Sequence, residues 1–194
     1  MFKKIFNFFL LIIFIFLLFL SIQPERYYIW YPTVQVYPNN LKEIEIMVRD
    51  YIPKRTSENI QFFKLTDDNP MEAFRGKITN EIYNKINKII TSRRMINQIM
   101  YYKKLYNRAR PYQIAPDLVK PFKSTTADNP SYPSGHPIQA YYVAKLLTGL
   151  EPKRKKEWDE IAERCSNIRI IAGLHYPSDI EFGKRIANSM NINF

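Results

Sequence analysis

The strongest constraint on how this chain folds is an apolar run near its N-terminus. Residues 5–22, IFNFFLLIIFIFLLFLSI, carry no charged side chain and follow Lys3 and Lys4. At about 1.5 Å rise per residue, a helix of this length nearly matches the roughly 30 Å hydrocarbon core of a bilayer. Signal peptides have a shorter apolar region and end in a small-x-small cleavage site, whereas this run continues into QP. We therefore expect an uncleaved transmembrane anchor rather than a cleaved signal.

The charges that flank this run predict its orientation. Lys3 and Lys4 precede it, while Glu25 and Arg26 cancel each other beyond it. The positive-inside rule then leaves the two lysines in the cytoplasm. No second apolar run of comparable length follows in the sequence. The predicted organisation is a cytoplasmic N-terminus (1–4), a transmembrane signal anchor (5–22), a linker (23–40) and a single domain (41–194) on the non-cytoplasmic side of the membrane.

Composition excludes several other classes of protein. The 194 residues include one Cys and two His, too few for a disulfide framework or a structural zinc site. Lys and Arg outnumber Asp and Glu by 29 to 18, which favours an anionic partner. The basic residues form no run interleaved with aromatic residues, so we do not expect nucleic acid to be that partner.

The spacing of apolar residues predicts an all-α fold, a bundle of helices. One stripe with helical period begins at Ile44, and another covers residues 78–90. A further helix is expected over residues 96–108, followed by a proline-rich loop over 111–133. No alternating strand pattern or hairpin dipeptide occurs. Two more helices are marked by Val143, Leu146, Leu147 and Leu150, and by Trp158, Ile161, Ala162, Cys165, Ile168 and Ala172, with Cys165 expected in the core.

A guanidinium on the border of an apolar helix face marks the first candidate functional group. Burying Arg169 is costly unless an anion meets it, and an internal salt bridge is the simplest structural interpretation. His175 follows six residues later, and because Pro177 disfavours a helical residue before it, His175 should lie in a break between helices. Asp179, in the first turn of the next helix, can accept one imidazole N–H and leave the other nitrogen free as a base or nucleophile.

The second histidine follows a helix-start signal. In the segment PSGHP, Ser134 and Gly135 precede His136 at an expected helix N-terminus, where free backbone N–H groups bind anions, although such residues also serve simply as caps. Upstream, Lys103 and Arg110 are seven residues apart, which places them on nearly the same helical face. Such a pair commonly complements the helix dipole. Taken together, both histidines lie beside cations and exposed amides, a set suited to the oxygens of a phosphate.

The candidate residues form three blocks along the chain. The blocks are Lys103-x6-Arg110-Pro111, then Pro133-Ser134-Gly135-His136, then Arg169-x5-His175-x3-Asp179. In order and spacing they resemble the three-part signature of the type 2 phosphatidic acid phosphatase superfamily, which includes bacterial class A acid phosphatases and vanadium haloperoxidases. The third block of that signature usually begins Ser-Arg, whereas Ile168 precedes Arg169 here, so the hydrogen bond of that serine is lost or replaced.

The resemblance implies a helical phosphatase that needs neither a metal nor another cofactor. By analogy, His175 attacks phosphorus and forms a phosphohistidine, with Asp179 orienting it. His136 protonates the leaving oxygen and later activates water. Lys104 and Arg108 are then expected at the surface. The phosphate oxygens would be held by Lys103, Arg110, Ser134, the amide of Gly135 and Arg169.

Three functions are compatible with these residues. The first is a membrane-anchored phosphatase acting on phosphate monoesters, either small soluble phosphates or lipid phosphates. The second is a vanadate-dependent haloperoxidase, since the same residues can hold vanadate. The third is a non-catalytic, membrane-tethered module that binds phosphate. The presence of His136, His175 and Asp179 together argues against the third.

Overall fold

Helices account for all the regular secondary structure in the described residues, 2–22 and 37–191, of this computed structural model. The prediction of an all-α fold is therefore confirmed. Short helical turns at Met47–Tyr51, Ile52–Lys54, Pro70–Phe74 and Pro152–Arg154 join some of the helices. The α-helices are α1 (Phe2–Ile22), α2 (Asn40–Ile46), α3 (Ser57–Thr66), α4 (Asn80–Ile90), α5 (Arg93–Tyr106), α6 (Pro111–Ile114), α7 (Gly135–Leu150), α8 (Lys155–Ile171) and α9 (Pro177–Ser189).

The apolar run at the N-terminus lies within α1. Side chains such as Phe6, Phe9 and Phe14 are exposed along it. Among the residues that the structure describes, no helix reaches the length and apolar character needed to cross a membrane. Most of the predicted linker, residues 23–36, lies outside the described residues. The transmembrane anchor and the orientation of the chain therefore stay predictions.

The centre of the bundle is α7. Its side chains are buried along most of its length, as expected for a helix that is apolar on every face rather than on one stripe. The helices α8 and α9 pack against it, and Trp158, Cys165 and Ala187 are among the buried residues of this core. The position expected for Cys165 is thus confirmed. Side chains from α4, α5 and the turn Pro70–Phe74 complete the core.

The helix α5 ends earlier than the sequence pattern predicted. Asn107 adopts a left-handed conformation with φ of 42°, and its N–H donates to the carbonyl of Lys103. Asparagine tolerates this conformation better than most residues, so it terminates the helix. Arg110 follows outside α5, immediately before α6. The expectation that Lys103 and Arg110 share one helical face is therefore wrong.

Two glycines allow close packing in and after the third motif block. Gly173, just after α8, has φ of 76°, and a Cβ there would lie 2.9 Å from Val119 Cγ1. Gly183 on α9 faces the start of α7, where a Cβ would lie 2.9 Å from the carbonyl oxygen of Ser134. The N–H of Ser134 in turn donates to the carbonyl of Asp179 at 3.1 Å. The second and third motif blocks therefore meet in the fold.

Candidate active site

His175 lies in the break between α8 and α9, and both of its ring nitrogens form hydrogen bonds. Its Nε2 is 3.2 Å from Arg110 Nη1, and its Nδ1 is 3.2 Å from Asp179 Oδ2. A guanidinium only donates hydrogen bonds, so Nε2 accepts from Arg110 and the ring proton resides on Nδ1, which donates to Asp179. The tautomer assigned from these partners leaves the Nε2 lone pair facing a cation.

The carboxylate of Asp179 is fully buried and accepts hydrogen bonds on both oxygens. Ser131 Oγ donates to Oδ2 at 2.5 Å, and the N–H of Tyr176 donates to the same oxygen at 2.9 Å. Arg108 Nη1 donates to Oδ1 at 2.6 Å. Because Oδ1 and Oδ2 have different partners, the carboxylate is fixed with Oδ2 towards His175.

The placement of Arg108 contradicts the sequence-based expectation. Predicted at the surface with Lys104, its side chain is instead fully buried, whereas Lys104 is exposed. The cause is the early end of α5: after Asn107 the chain leaves the helix, and Arg108 contacts Asp179 instead of continuing a solvent-facing stripe. No spacing rule in the sequence distinguishes this arginine from its neighbours.

Lys103 and Arg110 are buried cations whose partners are carbonyl oxygens. Lys103 Nζ donates to the carbonyl of Pro130 at 2.6 Å. Arg110 donates through Nε to the carbonyl of Asn129 and through Nη1 to that of Leu174, each at 2.8 Å. Burial, with Arg110 acting in the same direction, lowers the pKa of Lys103 well below its ordinary value. Carbonyl oxygens do not compensate the positive charge of Arg110, and an anionic ligand would favour the protonated form of Lys103.

Arg169, the cation of the third block, forms the internal salt bridge that was its simplest interpretation. Its Nη1 lies 2.6 Å from Asp67 Oδ1, and Nη2 donates to Thr126 Oγ1 at 3.2 Å. Burial lowers the pKa of Arg169 to about 10. Although burial acts to raise the pKa of Asp67, hydrogen bonds from Ser124 and Arg169 bring it below its ordinary value. Asp67 is therefore a charged partner.

His136, in the first turn of α7, is buried and neutral. Its Nε2 donates to the carbonyls of Thr66 and Asp67, at 3.1 and 2.9 Å. Because carbonyls only accept, the proton resides on Nε2. Burial, followed by the charge of Arg169, lowers the pKa of His136 to about 3.

Among the described residues, the buried polar atoms without a hydrogen-bond partner include Ser134 Oγ and Arg169 Nε, which belong to predicted phosphate-binding residues. A buried polar group without a partner costs about 1–3 kcal/mol, so each atom marks a place where a ligand oxygen is expected. Gly135 is the first residue of α7, and N–H groups of a first helical turn lack intrahelical partners.

Cations of the first and third motif blocks act on His175. Burial lowers the pKa of this histidine well below its ordinary value, and the charges of Arg110, Lys103 and Arg169 act in the same direction. The Nε2 lone pair, 3.2 Å from Arg110 Nη1, therefore lies in a cationic environment.

A comparison with protein families agrees with this geometry. The model of the PAP2 superfamily matches residues 85–190. The chain belongs to the PAP2 superfamily. A non-specific acid phosphatase of Salmonella typhimurium (strain LT2) is 31% identical over 86 residues, which cover 43% of this chain and 34% of that enzyme. A non-specific acid phosphatase of Salmonella typhi is 30% identical over 86 residues, which likewise cover 43% of this chain and 34% of that enzyme. The match therefore spans about a third of each relative.

Several contacts of the PAP2 site escaped the sequence analysis. Arg108 and Ser131 lie inside the matched range, whereas Asp67 and Glu43 precede it. Asp67 and Arg169 are 102 residues apart in the chain, and no periodic pattern connects residues at that separation. The hydrophobic spacing that locates helices carries no information about which acid meets which cation.

Ile168 occupies the position where the PAP2 signature usually has serine. Its side chain is buried in an apolar cluster with Phe63 and Leu174. In this chain, hydrophobic packing thus replaces the hydrogen bond of that serine. In the part of the chain that the structure describes, no group of three or more His, Cys, Asp or Glu side chains is arranged to hold a metal ion. The predicted independence from metals is left for experiment.

Proposed function

We propose that this PAP2 protein is a phosphatase that hydrolyses phosphate monoesters through a phosphohistidine intermediate on His175. The observation that carries the proposal is the pairing of His175 Nδ1 with Asp179 while Nε2 keeps its lone pair beside Arg110. A neutral imidazole with one nitrogen anchored and the other unprotonated is a competent nucleophile. The acid phosphatase relatives support the same reaction class.

In the first half-reaction, Arg110 transfers its hydrogen bond from His175 Nε2 to a phosphoryl oxygen, and Nε2 attacks phosphorus as the bond to the leaving oxygen breaks. The imidazole then carries positive charge, which the carboxylate of Asp179 stabilises through Nδ1–H. Lys103, Arg110 and Arg169 neutralise the phosphoryl oxygens, with Ser134 Oγ and Arg169 Nε supplying their orphaned donors. Positioning and charge neutralisation provide most of the catalysis in such a transfer.

His136 is proposed to protonate the leaving oxygen. In the ligand-free protein its pKa is lowered to about 3, so it has no extra proton near neutral pH. The negative charge of a bound phosphate ester raises the pKa of a nearby imidazole. His136 therefore gains its extra proton when the substrate binds. In the second half-reaction His136 removes a proton from water, the water oxygen bonds to phosphorus, and the P–N bond breaks to regenerate His175.

We also propose that residues 5–22 anchor this activity to a membrane with the catalytic domain on the non-cytoplasmic side. The support is the uncharged run and the lysines that precede it. Such an anchor would give the site access to lipid phosphates as well as to soluble esters. A reporter fused after Phe194 that is modified only outside the cytoplasm should become modified. A cytoplasmic C-terminus would overturn this localisation.

The decisive test of the phosphatase proposal is to assay the full chain in detergent micelles against sugar, nucleotide, pyrophosphate and lipid phosphates. We expect turnover that survives chelators, that vanadate inhibits, and that His175→Ala abolishes. Rapid mixing with labelled substrate should trap acid-labile label on histidine in the parent only. Turnover by His175→Ala at the parental rate would exclude this nucleophile. Bromide oxidation by the vanadate-loaded protein would instead indicate a haloperoxidase.

A further inference from the structure

We propose that Glu43 and Arg108 are positioning residues for the nucleophile, acting on His175 through the carboxylate of Asp179. The proposal rests on the phosphatase function proposed above and extends its machinery to α2, outside the range that matches the family. Neither residue is a specified position of the three motif blocks, since Arg108 occupies one of the unspecified positions between Lys103 and Arg110.

Hydrogen-bond acceptors at its edges and an aromatic ring on its face fix the guanidinium of Arg108. Nη1 donates to Asp179 Oδ1 at 2.6 Å, and Nη2 donates to Glu43 Oε2 at 2.5 Å. Nε donates to Asn40 Oδ1 at 3.0 Å. The guanidinium carbon lies 3.7 Å from the centroid of the Tyr176 ring. With these partners the side chain has little freedom to rotate.

These contacts also separate Arg108 from the phosphate-binding cations. Two carboxylates, those of Asp179 and Glu43, compensate its charge, whereas the partners of Lys103 and Arg110 are carbonyl oxygens. A guanidinium already engaged by two carboxylates offers little to a phosphate. Arg108 is therefore assigned to positioning rather than to substrate binding.

Glu43 connects Arg108 to the helix that carries Asp179. Its Oε1 accepts from the N–H of Ser178 at 2.8 Å, and its Oε2 accepts from Ser178 Oγ at 2.6 Å. Ser178 lies in the first turn of α9, so Glu43 satisfies a backbone donor at a helix N-terminus from 135 residues away in the chain. A carboxylate at this end also complements the helix dipole. Glu43 thereby fixes both Arg108 and the start of α9.

The orientation of Asp179 transmits this arrangement to His175. With Oδ1 held by Arg108, Oδ2 faces Nδ1 of His175. If Arg108 is displaced, Oδ1 loses its donor and only the contacts of Ser131 and Tyr176 to Oδ2 still orient the carboxylate. Its hydrogen bond to Nδ1 then weakens, and the Nδ1–H tautomer loses part of its advantage over the Nε2–H tautomer, which has no lone pair to attack phosphorus. Because neither Glu43 nor Arg108 reaches the phosphate, the loss should appear in kcat with little change in KM.

The experiment compares Glu43→Gln and Arg108→Lys with a matched control, Glu72→Gln, in the full chain. Glu72 also accepts hydrogen bonds from an arginine and a hydroxyl, those of Arg75 and Tyr83, but none of the three contacts a motif residue. We expect the first two variants to lose roughly 10- to 100-fold in kcat, by analogy with the partners that orient metal-bound histidines, with KM within about threefold. The control should keep the parental kcat.

A second readout does not depend on turnover. The chain contains two histidines, so ring ¹⁵N spectra are simple, and a His136→Asn variant assigns the His175 signals. The parent should show the Nδ1–H tautomer, and Glu43→Gln and Arg108→Lys should show a growing share of Nε2–H. If the parent hydrolyses no phosphate ester, the phosphatase proposal fails while these spectra still test the positioning.

A milder substitution tests the proposal if Glu43→Gln or Arg108→Lys does not fold. Ser178 Oγ accepts from Arg108 and donates to Glu43, so Ser178→Ala loosens the same contacts without leaving a buried charge unpaired. The loss of these two hydrogen bonds should cost roughly 2- to 10-fold in kcat. Folded variants that match the Glu72→Gln control in kcat and keep the parental tautomer would overturn the proposal.

Discussion

The carboxylate of Asp67 lies 2.6 Å from the guanidinium of Arg169, the cation of the third PAP2 motif block. Both side chains are largely buried, and the backbone carbonyl of Asp67 also accepts from His136. A phosphate that binds Arg169 must therefore approach a negative charge already in the site. Asp67 compensates the buried cation in the free protein and opposes an anionic ligand.

The first prediction concerns this competition. Asp67→Asn should lower the free energy of unfolding by about 1.5–3 kcal/mol, the usual value of a hydrogen bond to a charged group, because Arg169 loses its carboxylate. Inorganic phosphate should then bind more tightly, since like-charge repulsion is removed. Thermal unfolding with increasing phosphate measures both effects.

The control for this prediction is Glu58→Gln, which removes the acid of an exposed pair with Arg164. Exposed pairs contribute little, so neither melting temperature nor phosphate affinity should change. Equal phosphate-induced shifts in Asp67→Asn and in the parent would mean that Asp67 does not oppose the ligand.

The second prediction follows from the neutral burial of His136. Its pKa in the folded protein is lowered to about 3, whereas an unfolded histidine titrates near 6.5. Below that value the unfolded chain binds a proton that the folded site does not, so stability falls as the pH falls from about 6.5 towards 3. Between pH 7 and pH 5 this histidine should account for about 2 kcal/mol of lost stability.

Denaturant unfolding of the parent and of His136→Asn at pH 7 and pH 5 measures this contribution. Groups common to both proteins, including His175 and Lys103, contribute equally, so the difference between the two slopes reports His136. We expect the variant to lose less stability on acidification. Parallel losses would show that His136 titrates in the folded protein as it does in the unfolded chain.

The sequence predicted the helices better than it predicted the contacts of the site. Apolar periodicity located α4, α7 and α8 because burial selects residues at helical spacing. It extended α5 too far, because a left-handed Asn107 leaves no trace in that periodicity. The acids that meet Arg108 come from α2 and α9, and the acid that meets Arg169 follows α3; only the packing of the chain brings them to those arginines.

A third prediction tests the close packing of α9 on the start of α7. At Gly183 a Cβ would lie 2.9 Å from both Pro137 Cγ and the carbonyl oxygen of Ser134. Gly183→Ala should therefore cost about 1–3 kcal/mol of stability, as overpacking does, and should lower kcat by displacing Ser134.

Gly149 is the matched control, because a Cβ at that helical position would meet nothing within 4 Å. Gly149→Ala should raise stability by roughly 0.5–1 kcal/mol through helix propensity alone and leave kcat unchanged. Melting temperatures and single-turnover rates of the two variants test whether the close packing at Gly183 matters for stability and for kcat. A neutral or stabilising Gly183→Ala would contradict the observed approach of the helices.

The last prediction separates the roles of the two histidines by leaving group. A strongly basic alkoxide needs a proton in the transition state, whereas a weakly basic phenolate needs much less help. If His136 is the general acid, His136→Ala should lose about 10²–10⁴-fold on an alkyl phosphate, the usual range for such catalysis, and distinctly less on an activated aryl phosphate. His175→Ala should lose activity on both substrates alike, because attack on phosphorus is common to them.

These rates must come from the single-turnover burst, since hydrolysis of the phosphoenzyme also uses His136 and can mask the difference at steady state. The buried Nε2–H of His136 donates to the carbonyls of Thr66 and Asp67, so the extra proton that His136 gains with the substrate resides on Nδ1, and Nδ1 donates it to the leaving oxygen. Equal burst losses on the alkyl and aryl esters would therefore mean that His136 only positions the phosphate and that the leaving group takes its proton from another source.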